Sequence, residues 1–336
     1  MSSEPAFALS IPTLADVHAA RERIAGIALR TPLLRLPPRA GEPEIWLKPE
    51  TLQPIGSFKI RGAASAMGLV PREVLARGVY TASAGNMAQG VAWCAREAGV
   101  PCAVVVPDSA PQAKLDAIER LGARIVRVPF ERWWRVLVER GYDQLDGHFV
   151  HPVSDDAVIA GNATIGLEIF EDLPNAAAVL VPYGGGGLSS GIASALHASG
   201  AAARTFGCEV ETAAPLTASL AAGAASAIEH RASFVDGIGG RAVLAEMWPL
   251  SSVLLAGAFV VMLEEVAESI RMLVSRARIV AEGAGATSLA AALAGRPATG
   301  ARGANVSLPD GPVVCVISGG NLDPAKLAAV LDGRMP

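Results

Sequence analysis

The chain has 336 residues, and at about 150 residues per domain this length suggests two units. Apolar residues make up 51% and charged residues 18%, with a formal net charge of −4. A large core is therefore available, disorder is excluded, and no basic surplus exists to bind a phosphate backbone. The most apolar run, Val253 to Leu263, is far short of the roughly 20 residues of a bilayer span, and MSSEPAFALS lacks the basic and apolar regions of a secretory signal. Cys94, Cys102, Cys208 and Cys315 are scattered without CxxC spacing, which argues against a zinc site or a disulfide framework. These features predict a soluble cytoplasmic protein with neither nucleic acid nor membrane as partner.

In chain order, residues 13–29 read as an amphipathic helix, with Thr13 as N-cap and Asp16 three residues on. Strands are predicted at 45–48, 78–83, 102–107, 124–129, 177–183, 205–211 and 313–318. Helices are predicted at 87–99, 111–122 and 156–173, and the Ala-rich stretch 213–227 is helix-prone. Strands alternating with helices of this length imply an α/β fold whose parallel sheets are covered on both faces. No Pro/Gly/Ser linker divides the chain, so two α/β units share it without a flexible joint.

Four segments could carry chemistry. Gly184-Gly185-Gly186-Gly187 follows an apolar strand and precedes a helix, so converging backbone N–H groups and the positive helix end suit a phosphate. The strict dinucleotide and Walker patterns both fail here, and a tight packing turn is the alternative. Only four of the 28 basic residues are lysines: Lys48, Lys59, Lys114 and Lys326. Lys59 stands in QPIGSFKIRG, where Ser57 can cap a helix whose first turn carries the lysine. The helix end favours a neutral amine able to form a Schiff base. In Ser83-Ala84-Gly85-Asn86 a strand again runs into a helix, suited to a carboxylate or phenolic oxygen, unless Asn86 is simply the N-cap. Ser318-Gly319-Gly320-Asn321 ends the last apolar strand, where a hydroxyl can pair with a ring nitrogen or cap the final helix.

Together these segments resemble the pyridoxal-phosphate enzymes of the threonine dehydratase and serine racemase type, which have the tryptophan synthase β fold. The resemblance spans about residues 12–332 and is carried by KPETLQPIGSFKIRGA (48–63), SAGNMAQGVA (83–92), PYGGGGLSSGIA (182–193), CEVETAAPLTASL (208–220), AEGAGA (281–286) and SGGN (318–321). It implies two open twisted, mostly parallel sheets. Residues 1–48 with 152–336 would form a large cofactor-binding domain and 49–151 a small mobile one, with no regulatory domain and no control by isoleucine. It also implies pyridoxal 5′-phosphate as cofactor, an amino acid as substrate and a homodimer. Lys59 would hold the cofactor and move the Cα proton, with Phe58 packed near the ring. Asn86 would meet the phenolic oxygen, and Gly184, Gly185, Gly186, Gly187 and Leu188 the phosphate. Ser318 would meet the ring nitrogen, with Gly319, Gly237 and Glu282 completing the cofactor site. Ser83, Ala84, Gly85 and Met87 would face the substrate.

The sequence departs from that family in ways that narrow the reaction. The racemases carry a second serine where this chain has Ala84, which has no proton to give, so racemisation is disfavoured and β-elimination remains. Met87 replaces a usual histidine, Pro152-Val153-Ser154 a usual Pro-Phe-Asp, and Asn162 a frequent glutamine. These changes suggest a less polar pocket that accepts a bulkier β-substituent. Of the family's metal ligands Glu209 and Ala213 remain, but Pro215 occupies the aspartate position, so no metal is expected. The expected reaction is conversion of a β-hydroxy-α-amino acid, such as L-threonine, L-serine or a bulkier analogue, to a 2-oxo acid and ammonia. The alternatives are a β-replacement enzyme, a racemase or a non-catalytic binding relative. His18, His148, His151, His197 and His230 show no ligand spacing and read as structural or surface residues.

Overall fold

Thr13 begins the first helix, Leu14–Ile24, through a complete capping box with Asp16. The helix stops short of the predicted residue 29 because the chain turns out at Ala25 and Gly26 takes a positive φ of 77°. The computed structural model describes residues 8–336, so the expectation about Met1 to Phe7 lies outside them.

All seven predicted strands are present to within one residue at each end. They are β2 (Ile45–Pro49), β3 (Val79–Ala82), β4 (Cys102–Pro107), β5 (Arg124–Val128), β7 (Ala178–Pro182), β8 (Arg204–Val210) and β12 (Val313–Ile317). Unpredicted are the two-residue strands β1 (Leu34–Arg35), β6 (His148–Phe149), β10 (Ala298–Thr299) and β11 (Asn305–Val306), together with β9 (Gly257–Val261) inside the most apolar run. They assemble into an eight-stranded sheet in the order β1-β2-β12-β7-β8-β9-β10-β11 and a four-stranded sheet in the order β5-β4-β3-β6. The smaller sheet is wholly parallel. In the larger one the run β2 to β9 is parallel and only the short edge strands are antiparallel.

This is the α/β architecture the sequence implies. All five residues of β7 and of β12 are buried, as parallel strands covered by helices on both faces require. The helix Asp156–Asp172 is buried from Val158 through Ile169 and packs against both Lys59–Met67 and Gly187–Ala198. The carboxyl ends of β3, β7 and β12 therefore open onto the loops that carry the glycine-rich motifs, where open α/β sheets bind ligands. Among the described residues no helix is long and apolar enough to cross a membrane.

Candidate active site

Lys59 is the first residue of the helix Lys59–Met67. Its entry is set by main-chain pairing: Phe58 N donates to Ser318 O at 3.0 Å, and Ser57 bridges Gly319. The chain is already helical at Phe58 (φ −56°, ψ −21°), so Phe58 is the N-cap and Ser57 does not cap, contrary to the sequence expectation. The Ser57 hydroxyl is instead fully buried without a hydrogen-bond partner among the described residues. Lys59 Nζ donates to Pro152 O at 2.7 Å and lies 5.2 Å from the centre of the Phe58 ring. Burial brings its pKa down to about 8, so loss of water, rather than the positive helix end, makes the amine available as a nucleophile.

Two residues on, Arg61 anchors the same helix in the core. Its guanidinium meets Glu50 at 2.8 Å and Glu168 at 2.6 Å, and Lys48 Nζ meets Glu168 at 2.6 Å, with all four residues at most 3% exposed. Two cations thus face two carboxylates, and removing one partner would leave an uncompensated charge at a cost of about 3–5 kcal/mol.

The tetraglycine segment leads from β7 into the helix Gly187–Ala198. Gly186, at φ +91°, is an N-cap with no side chain to offer the first helical N–H groups. A Cβ on Gly185 would stand 2.6 Å from Val153 Cγ1, and one on Gly187 would stand 2.9 Å from Val153 O. Val153 therefore packs against the glycine loop, while its neighbour Pro152 holds Lys59. His151 shapes this turn: its Nδ1 accepts from Val153 N at 3.2 Å and Ser154 N at 2.8 Å. Burial and the charges of Arg140 and Lys59 depress its pKa to about 3, so the ring is neutral. Leu188 is buried.

At the end of β3, Gly85 is the N-cap of the helix Asn86–Ala98, and its N–H donates to Ser83 Oγ at 3.2 Å. Asn86 is not the cap, as one sequence alternative had it; its side chain points across to the larger sheet. Its Nδ2 donates to Glu282 Oε1 at 2.8 Å, and its Oδ1 accepts from Asn321 Nδ2 at 2.8 Å. Burial pushes the Glu282 carboxyl up to about 7, against the opposing pull of the Asn86 hydrogen bond. Glu282 N donates to Gly319 O at 3.0 Å, and a Cβ on Gly319 would stand 2.5 Å from Glu282 Oε1. Gly237, in the turn Asp236–Ile238, lies beside both Gly184 and Glu282. Ser318 is 4% exposed and does not cap the final helix, which Asp323 caps through Ala325 N. Ala84 is half-buried, and Met87 is 2% exposed, packed in the core cluster with Ile55, Ile60, Val91 and Val158.

The structure thus gathers Ser57, Asn86, Glu282 and Gly319 into one cluster, joins Gly237 to it, and links Lys59 to the glycine loop through residues 152–153. In the sequence Pro152 and Asn321 stand within motifs and His151 reads as structural, but neither Pro152 nor Asn321 receives a role of its own there, since a carbonyl acceptor and an amide relay have no motif of their own. Glu209 gives both oxygens to the helix Pro215–Ala222, accepting from Leu216 N at 2.6 Å and from Thr217 N and Oγ1 at 2.8 and 2.7 Å. No cluster of three or more His, Cys, Asp or Glu able to hold a metal is present among the described residues.

These features fit pyridoxal phosphate. The amine is freed by burial, the helix start is uncapped and walled by Val153, and one Asn86 amide N–H has no acceptor among the described residues. The family described as "Pyridoxal-phosphate dependent enzyme" matches residues 24–319, and the chain belongs to it. It is similar to the L-threonine ammonia-lyase of Geobacter sulfurreducens, with 39% identity over 86% of this chain and 70% of that one. The catabolic L-threonine dehydratase of Staphylococcus aureus is 34% identical over 96% of this chain and 92% of its own. Among solved structures, maize serine racemase superimposes with a TM-score of 0.85 at 27% identity, covering 96% of this chain and 98% of that one.

Proposed function

We propose that this chain is a pyridoxal-phosphate-dependent ammonia-lyase that converts L-threonine, L-serine or a bulkier β-hydroxy-α-amino acid to a 2-oxo acid and ammonia. The observation that carries this reading is Lys59, whose buried amine donates to Pro152 O beside Val153, the residue that packs on the uncapped glycine loop. Bound pyridoxal phosphate supplies an electron sink that acidifies the Cα–H of an amino acid joined to it. The N–H groups of Gly184–Leu188 bind its phosphate, Asn86 its phenolic oxygen and Ser318 its ring nitrogen. Lys59 Nζ takes the Cα proton in its neutral form, which predominates above pH 8. Ser83 and the Gly85 backbone orient the substrate carboxylate beside the open space at Gly85. Similarity to an L-threonine ammonia-lyase and a catabolic L-threonine dehydratase over most of both chains supports the substrate class.

Ala84 supports elimination over racemisation, because its methyl group cannot supply the second-face proton that a serine at this position would give. The unit 49–151, which contains the smaller sheet, is read as the mobile part, and the protein as a cytoplasmic homodimer. Its four free cysteines suit a reducing compartment. The test is 2-oxo acid release from separate stereoisomers of serine, threonine, 3-hydroxyaspartate and 3-phenylserine, with pyridoxal phosphate and a chelator. Turnover of one or more is expected, and a chiral assay should find no D-enantiomer. Silence across the set would overturn the reading.

A further inference from the structure

Asn86 can serve the cofactor's phenolic oxygen only with its amide the right way round, since N–H donates where the carbonyl would repel. The geometry points to Asn321 as the residue that fixes this orientation. Asn321 Nδ2 spends both hydrogens, one on Ile55 O at 2.9 Å and one on Asn86 Oδ1 at 2.8 Å. Ile55 O is a backbone carbonyl and can only accept, so it sets the polarity of the Asn321 amide from outside the chain of side chains. Asn321 in turn demands an acceptor, which turns the Asn86 carbonyl toward it and the Asn86 NH₂ toward Glu282 Oε1 at 2.8 Å. Flipping either amide would set carbonyl against carbonyl at one end or carbonyl against carboxyl at the other. The polarity thus runs from Ile55 O through Asn321 and Asn86 to Glu282, leaving one Asn86 hydrogen for a ligand.

Asn321 is itself placed by main-chain contacts, Gly320 N to Gly56 O at 2.9 Å and the Ser57–Gly319 bridge. Its side chain is at the surface, so replacing it leaves the core packing untouched. Asn321 is therefore a positioning residue that acts on the cofactor through Asn86. The inference rests on the cofactor assignment and on Asn86 facing the phenolic oxygen.

The test uses the full chain loaded with pyridoxal phosphate and reads the pH midpoint of the visible cofactor band and the cofactor dissociation constant. A phenolic oxygen that accepts an N–H bond carries its negative charge more easily and holds the shared proton less tightly. Losing that donor should therefore raise the band's midpoint. Asn321→Ala is expected to raise it by about half a unit and to weaken cofactor binding about tenfold. Asn321→Asp, with acceptors where donors are needed, should do at least as much. Asn86→Ala should show the same shift, and the Asn86→Ala/Asn321→Ala pair no more than Asn86→Ala alone, because one residue acts through the other. Wild-type midpoint and affinity in both Asn321 variants, or effects that add to those of Asn86→Ala, would overturn the proposal. Absence of any visible band in the wild type would instead overturn the cofactor assignment.

Discussion

Two strand-to-helix turns face the candidate site, and they use glycine for opposite ends. At the end of β7 the loop is walled in: the missing Cβ of Gly185 leaves room for Val153, whose methyl carbons would stand at 2.6 and 2.8 Å. At the end of β3 a Cβ on Gly85 would meet nothing within 4 Å. The first glycine lets the protein close on itself, and on the proposed reading its backbone N–H groups face a resident cofactor. On the same reading the second keeps space clear for a transient substrate. Both helices start on a glycine without a side-chain cap, so the contrast lies in what stands opposite the missing side chain.

The Lys59 amine gives the largest expected effect. Lys59→Ala should lower 2-oxo acid formation by about a thousandfold or more and abolish the visible cofactor band, with the circular dichroism unchanged. Retained turnover would make the contrast between the turns irrelevant to catalysis. The same amine sets a pH dependence in the intact protein. Since its pKa is lowered to about 8, the neutral form falls about tenfold per unit below that point. Stopped-flow attachment of pyridoxal phosphate to the apo-protein should accelerate up to pH 8 and level off above it.

The glycines come next. Gly185→Ala drives a methyl into Val153 and should cost about 1–3 kcal/mol of stability, together with most of the cofactor affinity. Adding Val153→Ala removes the two closest methyl carbons, so the double variant should recover part of both losses in thermal melts and cofactor titration. Gly85→Ala has no atom of the described residues to strike within 4 Å, and its φ of −123° is negative. Its melting temperature and cofactor affinity should match wild type while the KM for the amino acid rises about tenfold, equivalent to about 1.4 kcal/mol. Equal damage to cofactor binding in both alanine variants would break the distinction between the two turns.

The sequence made the long buried strands legible because parallel strands covered on both faces are continuous apolar runs. The four two-residue strands carry no such period, and β9 was hidden in a run judged only by its length. Lys59 and the glycine loops were readable because their chemistry is local: a lysine after a breaker, and glycines between strand and helix. The Asn86 cluster was only half readable, since Glu282 lies 196 residues and Asn321 lies 235 residues away along the chain. The Lys48–Glu168–Arg61–Glu50 network was invisible for the same reason, and Lys48 looked like an ordinary strand end until Glu168 was placed against it.

Ser57 gives the smallest effect and turns on its sign. A serine that capped the Lys59 helix would lose about 1 kcal/mol on replacement by alanine. The hydroxyl found here is fully buried and unpartnered, beside Gly319 and the Asn86 cluster, and burying such a group without a partner is unfavourable. Ser57→Ala should therefore leave the apo-protein as stable as wild type or more stable by up to about 1 kcal/mol in urea titrations. A loss of stability would restore the cap. If the same substitution weakens the loaded protein while sparing the apo form, the hydroxyl finds its partner only when the cofactor is bound. The open side of the site would then be completed by its ligand, as the space at Gly85 already suggests.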